Sequence, residues 1–204
     1  MVQGRERSES PQEAPEVLDW RTMIIIIARH SSAEDKADSK EDADRILTAE
    51  GREQADVLGR VIAATIGPLD ALWTSPLMRA LQTAGIASKH LNVKPTVEPT
   101  LAISGDLEQL GWKMQREALG TLMLVGHQPD LGRLAARLLG FVSELSLKKA
   151  GCCIVETKDP AKPVGRAVAT LDPRQYHEIL EGREYVPWMR SRQIVARPEE
   201  GFQP

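Results

Sequence analysis

The sequence predicts an α/β domain, a three-layer α/β/α sandwich around a mostly parallel central sheet, and three observations carry that prediction. Two unbroken apolar runs, Met23 to Ala28 and Thr121 to Val125, have the character of strands covered on both faces. Amphipathic stretches at helical spacing alternate with strand-like runs along the chain, the order that builds helices onto a parallel sheet. The length of 204 residues, with 42% hydrophobic and 27% charged residues, suits one domain with tails.

Taken in order, residues 1–20 are rich in Glu, Ser, Pro, Arg and Gln without an apolar period and read as a mobile tail. Residues 196–204 read likewise, so the globular unit is expected over 21–195. Met23 to Ala28 forms the first strand and stops at Arg29-His30. After a polar, acidic loop, Thr48 is placed to cap a helix in which Ala55, Leu58, Ile62 and Ile66 recur at helical spacing, until Gly67-Pro68 ends it. Ala71 to Thr74 is a short second strand. Ser75-Pro76 then reads as N-cap and first position of a second helix, whose stripe is Leu77, Leu81 and Ala84. A third strand is expected around Thr96 to Glu98, and a helix from Leu107 to Leu119 with Leu107, Leu110, Met114 and Ala118 on one face. Thr121 to Val125 ends on Gly126-His127 and feeds a helix from Asp130 to Leu139. Cys152 to Glu156 and Ala167 to Leu171 read as strands joined by a turn, with room for an antiparallel edge, and Pro173 to Leu180 as a last helix.

Composition excludes several function classes. With 26 basic and 29 acidic residues the formal net charge is −3, which supplies no general attraction toward nucleic acid or an anionic membrane, so any anion site is local. No apolar run approaches the roughly 20 residues that cross a bilayer, and none has the flanks of a signal peptide, which predicts a cytoplasmic protein. The adjacent Cys152 and Cys153 read as free buried thiols, since a bridge between neighbours is strained. The glycine-rich nucleotide loops and the His-Glu-x-x-His metal motif are absent, and the four histidines show no ligand spacing. His90 and His177 read as surface residues, and neither a cofactor nor a metal is expected.

Ligands of open α/β sheets bind beyond the carboxyl ends of the strands, and both apolar runs deliver a histidine there, His30 and His127. Arg79 falls in the first turn of the second helix, where the macrodipole disfavours a cation by roughly 0.3–1 kcal/mol and an anion nearby would resolve the conflict. Arg29 adds a second cation at the same edge. Two guanidinium forks and two imidazoles suit a phosphoryl group.

These residues resemble the histidine phosphatase superfamily, also called phosphoglycerate mutase-like, and within it the short SixA-type phosphohistidine phosphatases. The resemblance covers nearly the whole globular unit. It rests on Arg29-His30, on Arg45-Ile46-Leu47-Thr48-Ala49-Glu50-Gly51 with Gln54-Ala55, on Thr74-Ser75-Pro76-Leu77-Met78-Arg79-Ala80 with Gln82-Thr83-Ala84, and on Val125-Gly126-His127. Thr170-Leu171-Asp172-Pro173 is similar to the closing strand and turn of the SixA-like members. The resemblance implies a phosphoglycerate mutase-like fold without a large lid insertion and a metal-independent phosphatase. In it His30 is the phosphate-accepting nucleophile, while Arg29, Arg79 and His127 bind the phosphoryl oxygens. Arg45 is a further candidate for substrate binding. Ser31 stands where the family triplet has glycine, and its side chain either crowds the phosphate or offers it a hydroxyl.

The interval between Arg79 and His127 is filled by predicted elements, which leaves little for a lid carrying a general acid and predicts an open rim. Asp106 and Glu34 are the acid candidates by position, although an aspartate opening a helix usually caps it. Histidine has an ordinary pKa near 6.5 and leaves phosphorus protonated far more readily than an alkoxide, so a site short of an acid suits phosphohistidine on a protein. The alternatives are a phosphatase for small sugar or nucleotide phosphates and a module that binds phosphorylated partners without turnover. The expected partners are thus a phosphorylated protein or a small phosphate ester, with inorganic phosphate as product.

Overall fold

A computed structural model describes residues 22–35, 41–117 and 119–182, so the two predicted tails, the stretch up to 195 and Ala118 lie outside the described residues. Six strands form one sheet in the order β3-β2-β4-β1-β5-β6. They are β1 (Met23–Arg29), β2 (Ala71–Thr74), β3 (Pro95–Val97), β4 (Thr121–Gly126), β5 (Cys152–Thr157) and β6 (Arg166–Leu171). The first four are mutually parallel, while β5 pairs antiparallel with β1 and β6 antiparallel with β5.

The run of isoleucines in β1 explains the layers, because successive side chains of a strand point to opposite faces. Ile24, Ile26 and Ala28 pack with Leu58, Ile62, Ala80 and Tyr176, which places α1 (Ala49–Thr65), α2 (Met78–Ala87) and α5 (Tyr176–Leu180) on one face. Ile25 and Ile27 pack with Leu110, Met114, Leu131 and Leu134, which places α3 (Leu107–Glu117) and α4 (Asp130–Leu139) on the other. The three-layer α/β/α prediction is therefore met, with the sheet antiparallel at the β5–β6 edge.

Most boundaries agree with those read from the sequence, and the disagreements have local causes. Ser75 and Pro76 do not open α2; its N-cap position is Leu77, with extended backbone angles, and the helix starts at Met78. The Ser75 N–H continues the sheet ladder to the Val125 carbonyl at 2.9 Å, which holds the chain extended past the predicted start. Pro173 to Gln175 is a 3-10 turn, closed by a capping box between Asp172 and Gln175, and α5 begins only at Tyr176. Strand β3 lies one residue earlier than expected, and α3 ends at Glu117.

Thr48 caps α1 as predicted, its hydroxyl accepting the Gly51 N–H at 3.0 Å. Gly51 is required there for a different reason: a Cβ on it would sit 1.8 Å from the Ser32 carbonyl oxygen, so only glycine lets α1 approach the loop that follows β1. The described parts of that loop, residues 32–35 and 41–48, form a flap. Thr48 N–H bonds the Ser32 carbonyl, Glu34 N–H bonds the Ile46 carbonyl, and Ala33 bridges antiparallel to Leu47, which joins residues 32–34 to residues 46–48. Cys152 and Cys153 are free and buried, and burial raises the Cys152 thiol to about 12, so neither is a ready nucleophile. His90 pairs with Asp56 and His177 with Glu181 at the surface. No helix among the described residues is long and apolar enough to cross a membrane.

Candidate active site

The carboxyl ends of β2, β4 and β1, three neighbours in the sheet, deliver Ser75, His127 and His30 to one edge. Register fixes the convergence: Arg29 lies opposite Gly126, and the His30 N–H bonds the Gly126 carbonyl at 3.0 Å. The two imidazoles sit 5.1 Å apart between ring centroids, tilted by 52°. Both are buried, His30 exposing 7% and His127 3% of its surface. Arg79 is also buried, at 3% exposure, as the second residue of α2.

Hydrogen-bond accounting assigns each ring nitrogen. The Nδ1 of His30 lies 2.8 Å from the Ser31 carbonyl, which can only accept, so Nδ1 carries the proton and Nε2 keeps a lone pair. The Nε2 of His127 lies 2.8 Å from Ser75 Oγ. Since that hydroxyl already accepts the Leu77 N–H at 3.3 Å, the arrangement that satisfies it has Ser75 donating to Nε2 and the His127 proton on Nδ1.

Among the described residues, the buried side-chain polar atoms without a partner are Arg29 Nε, Ser31 Oγ, Arg79 Nε and His127 Nδ1. A buried donor left unpaired costs roughly 1–3 kcal/mol, and native proteins keep few of them. Here all four belong to the same constellation, and three are nitrogen donors. Such a set fits a tetrahedral oxyanion, whose oxygens would take up the free N–H groups while its centre faces the His30 lone pair.

Electrostatics keep the nucleophile candidate neutral. Burial lowers the His30 pKa from 6.5 to about 4, with Arg79, Arg29 and Lys149 adding to the shift and the Ser31 carbonyl opposing it. Burial likewise lowers His127 to about 3, reinforced by His30 and Arg79 and opposed by Asp42. Arg29 is anchored by Nη1 on the Leu147 carbonyl at 2.9 Å.

The other sequence candidates are placed differently. Ser31 is fully buried, its N–H donating to Thr83 Oγ1 at 3.1 Å and its hydroxyl without a partner. Arg45 braces the flap: its Nε bonds the Glu34 carbonyl at 2.7 Å and its Nη1 the Asp42 carboxylate at 3.1 Å. Asp106 opens α3 as the cap that its position in the sequence also suggested, accepting the N–H groups of Glu108 and Gln109 at 2.9 Å. Glu34 enters the flap through its backbone. Asp42, in the loop after β1, meets Arg79 through both its carbonyl and its carboxylate.

Ser75, Asp42 and Lys149 were not read from the sequence as site residues. Lys149 is the most instructive: β5 runs antiparallel to β1, so the loop leading into β5 lies at the edge where β1 ends, and the neighbouring Ala150 N–H bonds the His30 carbonyl at 3.2 Å. Among the described residues no cluster of three or more His, Cys, Asp or Glu side chains could hold a metal ion.

A family model described as histidine phosphatase superfamily (branch 1) matches residues 25–145. An uncharacterized protein of Picosynechococcus sp. is 40% identical over 135 residues, spanning 63% of this chain and 82% of that protein. The phosphohistidine phosphatase SixA of Escherichia coli is 26% identical over 121 residues, spanning 57% of this chain and 74% of that one. The solved structure of protein histidine phosphatase SixA with tungstate superposes at a TM-score of 0.68 and 23% identity, covering 75% of this chain and 99% of that chain.

Proposed function

Because the chain belongs to the histidine phosphatase superfamily, branch 1, we propose that this phosphatase works through a phosphohistidine on His30 and takes phosphohistidine on a protein as its substrate. The observation that carries the proposal is the set of unpartnered donors, Arg29 Nε, Arg79 Nε and His127 Nδ1, around a neutral His30. In the first step the His30 Nε2 lone pair forms a bond to phosphorus as the bond to the leaving group breaks in line. The guanidinium and imidazole donors take the charge on the equatorial oxygens. Water then attacks the phosphorylated imidazole, restoring His30 and releasing inorganic phosphate.

The leaving group selects the substrate class. The carboxylate that reaches the cradle, Asp42, is raised by burial but held below its ordinary pKa by hydrogen bonds from Arg45 and Arg79, so it is ionised and has no proton to give. Asp106 is committed to a helix cap. An imidazole, with an ordinary pKa near 6.5, can take a proton on its free ring nitrogen before the N–P bond breaks and so leave neutral, whereas an ester oxygen needs an acid beside it to avoid leaving as a strongly basic alkoxide. The relatives described as phosphohistidine phosphatase favour the same class. One observation favours small phosphate esters instead: the 7% exposure of His30 leaves a narrow approach.

The test compares the full chain with His30→Ala on a phosphohistidine-bearing protein, a sugar phosphate and an aryl phosphate. We expect kcat/KM at least tenfold higher on phosphohistidine than on the sugar phosphate, and no turnover of any substrate by the variant. Preference for the sugar phosphate would replace the substrate class, and absence of all turnover in the wild type would leave only a phospho-binding module.

A further inference from the structure

Arg79 is a buried cation in the first turn of α2, where the unpaired N–H groups of the helix already present positive charge. A guanidinium in that position needs an anchor, and the flap supplies one. Arg79 Nη1 donates to the Asp42 backbone carbonyl at 2.6 Å, and Nη2 donates to the Asp42 carboxylate at 2.9 Å. Two contacts to one residue fix both the position and the plane of the fork. They take the outer end of the guanidinium and leave Nε, which is buried and unpartnered, on the other side.

Asp42 is itself held. It opens a 3-10 turn, Asp42–Asp44, and its second carboxylate oxygen accepts from Arg45 Nη1 at 3.1 Å while Arg45 Nε grips the Glu34 carbonyl. The chain of contacts from Glu34 through Arg45 and Asp42 to Arg79 therefore ties the flap to the helix that carries the phosphate-binding arginine. We propose that Asp42 is a positioning residue for the phosphoryl site: it anchors the outer edge of the Arg79 fork so that the Nε edge is presented to the phosphoryl oxygens. This inference rests on the reading of the cradle as a phosphoryl site. It gives Arg45 a bracing function in place of direct substrate binding and makes Asp42 part of the oxyanion-binding apparatus.

The opposite relation, in which the carboxylate competes with substrate for Arg79, predicts the opposite sign and is separable by experiment. Tungstate binding to the full chain is measured by calorimetry for wild type, Asp42→Ala and Asp42→Asn, each also in an Arg79→Lys background, whose single ammonium cannot take the two-point contact. Asp42→Ala should weaken tungstate at least tenfold in the wild-type background and less than twofold in the Lys background. Asp42→Asn, which keeps an acceptor oxygen, should recover part of the loss. Aryl phosphate turnover should fall in parallel, with KM rising as well as kcat falling. Tighter tungstate binding by Asp42→Ala, unchanged binding, or an equal loss in both backgrounds overturns the inference, as does failure of the wild type to bind tungstate at all. A wild type that binds tungstate with this coupling but turns over no phosphorylated substrate overturns the catalytic reading and leaves the positioning of Arg79 standing.

Discussion

Acid should destabilise this protein through its two buried histidines, and the share carried by His30 can be isolated. The ring titrates at about 4 in the folded chain against 6.5 ordinarily, so between those values the unfolded chain binds more protons than the folded one. The sign follows: the stability linked to the neutral ring is present in full above about pH 6.5 and is lost as the pH falls toward the folded value. At roughly 1.4 kcal/mol per pH unit, the loss from His30 alone between about pH 7.5 and about pH 4.5 comes to about 2–3 kcal/mol. That is a large share of the roughly 5–15 kcal/mol that holds a domain folded. The perturbation that isolates it is His30→Asn, which removes the titrating group whatever its cost at neutral pH. In urea unfolding of both proteins across this range, the wild-type stability should fall relative to the variant's by about 2–3 kcal/mol toward the acid end. Carboxylates whose pKa is depressed, such as Asp42 and Asp172, lose stability with acid in both proteins and cancel in the comparison. Parallel curves would refute the claim that His30 is buried in its neutral form.

Other substitutions address the residues around that ring. Ser75→Ala removes the hydroxyl that fixes the His127 tautomer, and kcat/KM toward an aryl phosphate should drop about tenfold or more, in the range lost with one hydrogen bond, while the tungstate-free fold persists by circular dichroism. Lys149→Glu reverses a charge that the His30 ring feels, so the His30 pKa followed by NMR should rise, and KM for anionic substrates should increase most at low salt. Asp106→Ala should cost about 1 kcal/mol of stability through the lost α3 cap and leave kcat/KM on esters within twofold of wild type.

The parts of this molecule that the sequence reveals are those decided by local rules. Four isoleucines and an alanine in a row read as a strand buried on both faces, and a histidine at its end is carried to the sheet edge whatever else the chain does. The conflict at Arg79 is also local, since the helix macrodipole depends only on position in the turn. What stayed hidden depends on partners distant in sequence. Ser75 looks like an N-cap because nothing nearby says that its N–H will be claimed by Val125 and its hydroxyl by His127, 52 residues away. Asp42 is one acidic residue among several in its loop, and its role appears only when the loop folds back on a helix 37 residues on. Lys149 could have been found by noting that an antiparallel neighbour of β1 must begin where β1 ends, but this requires knowing which strand pairs with which.

The two histidines show how a neighbouring group, more than residue type, decides what an imidazole can do. A carbonyl can only accept, so the Ser31 oxygen pins the His30 proton on Nδ1 and turns a lone pair outward. With the Ser75 hydroxyl accepting the Leu77 amide and donating to Nε2, the arrangement that uses both its roles, the His127 ring instead turns an N–H outward. In the proposed reaction these states are complementary: one ring attacks phosphorus and the other steadies an oxygen of the same group. If both rings carried the His30 arrangement, a lone pair would face the phosphoryl oxygens and repel them. If both were protonated, nothing would attack. Burial beside two arginines keeps both rings from taking up a second proton near neutral pH, so the same desolvation that makes the fold sensitive to acid preserves the division of labour between them.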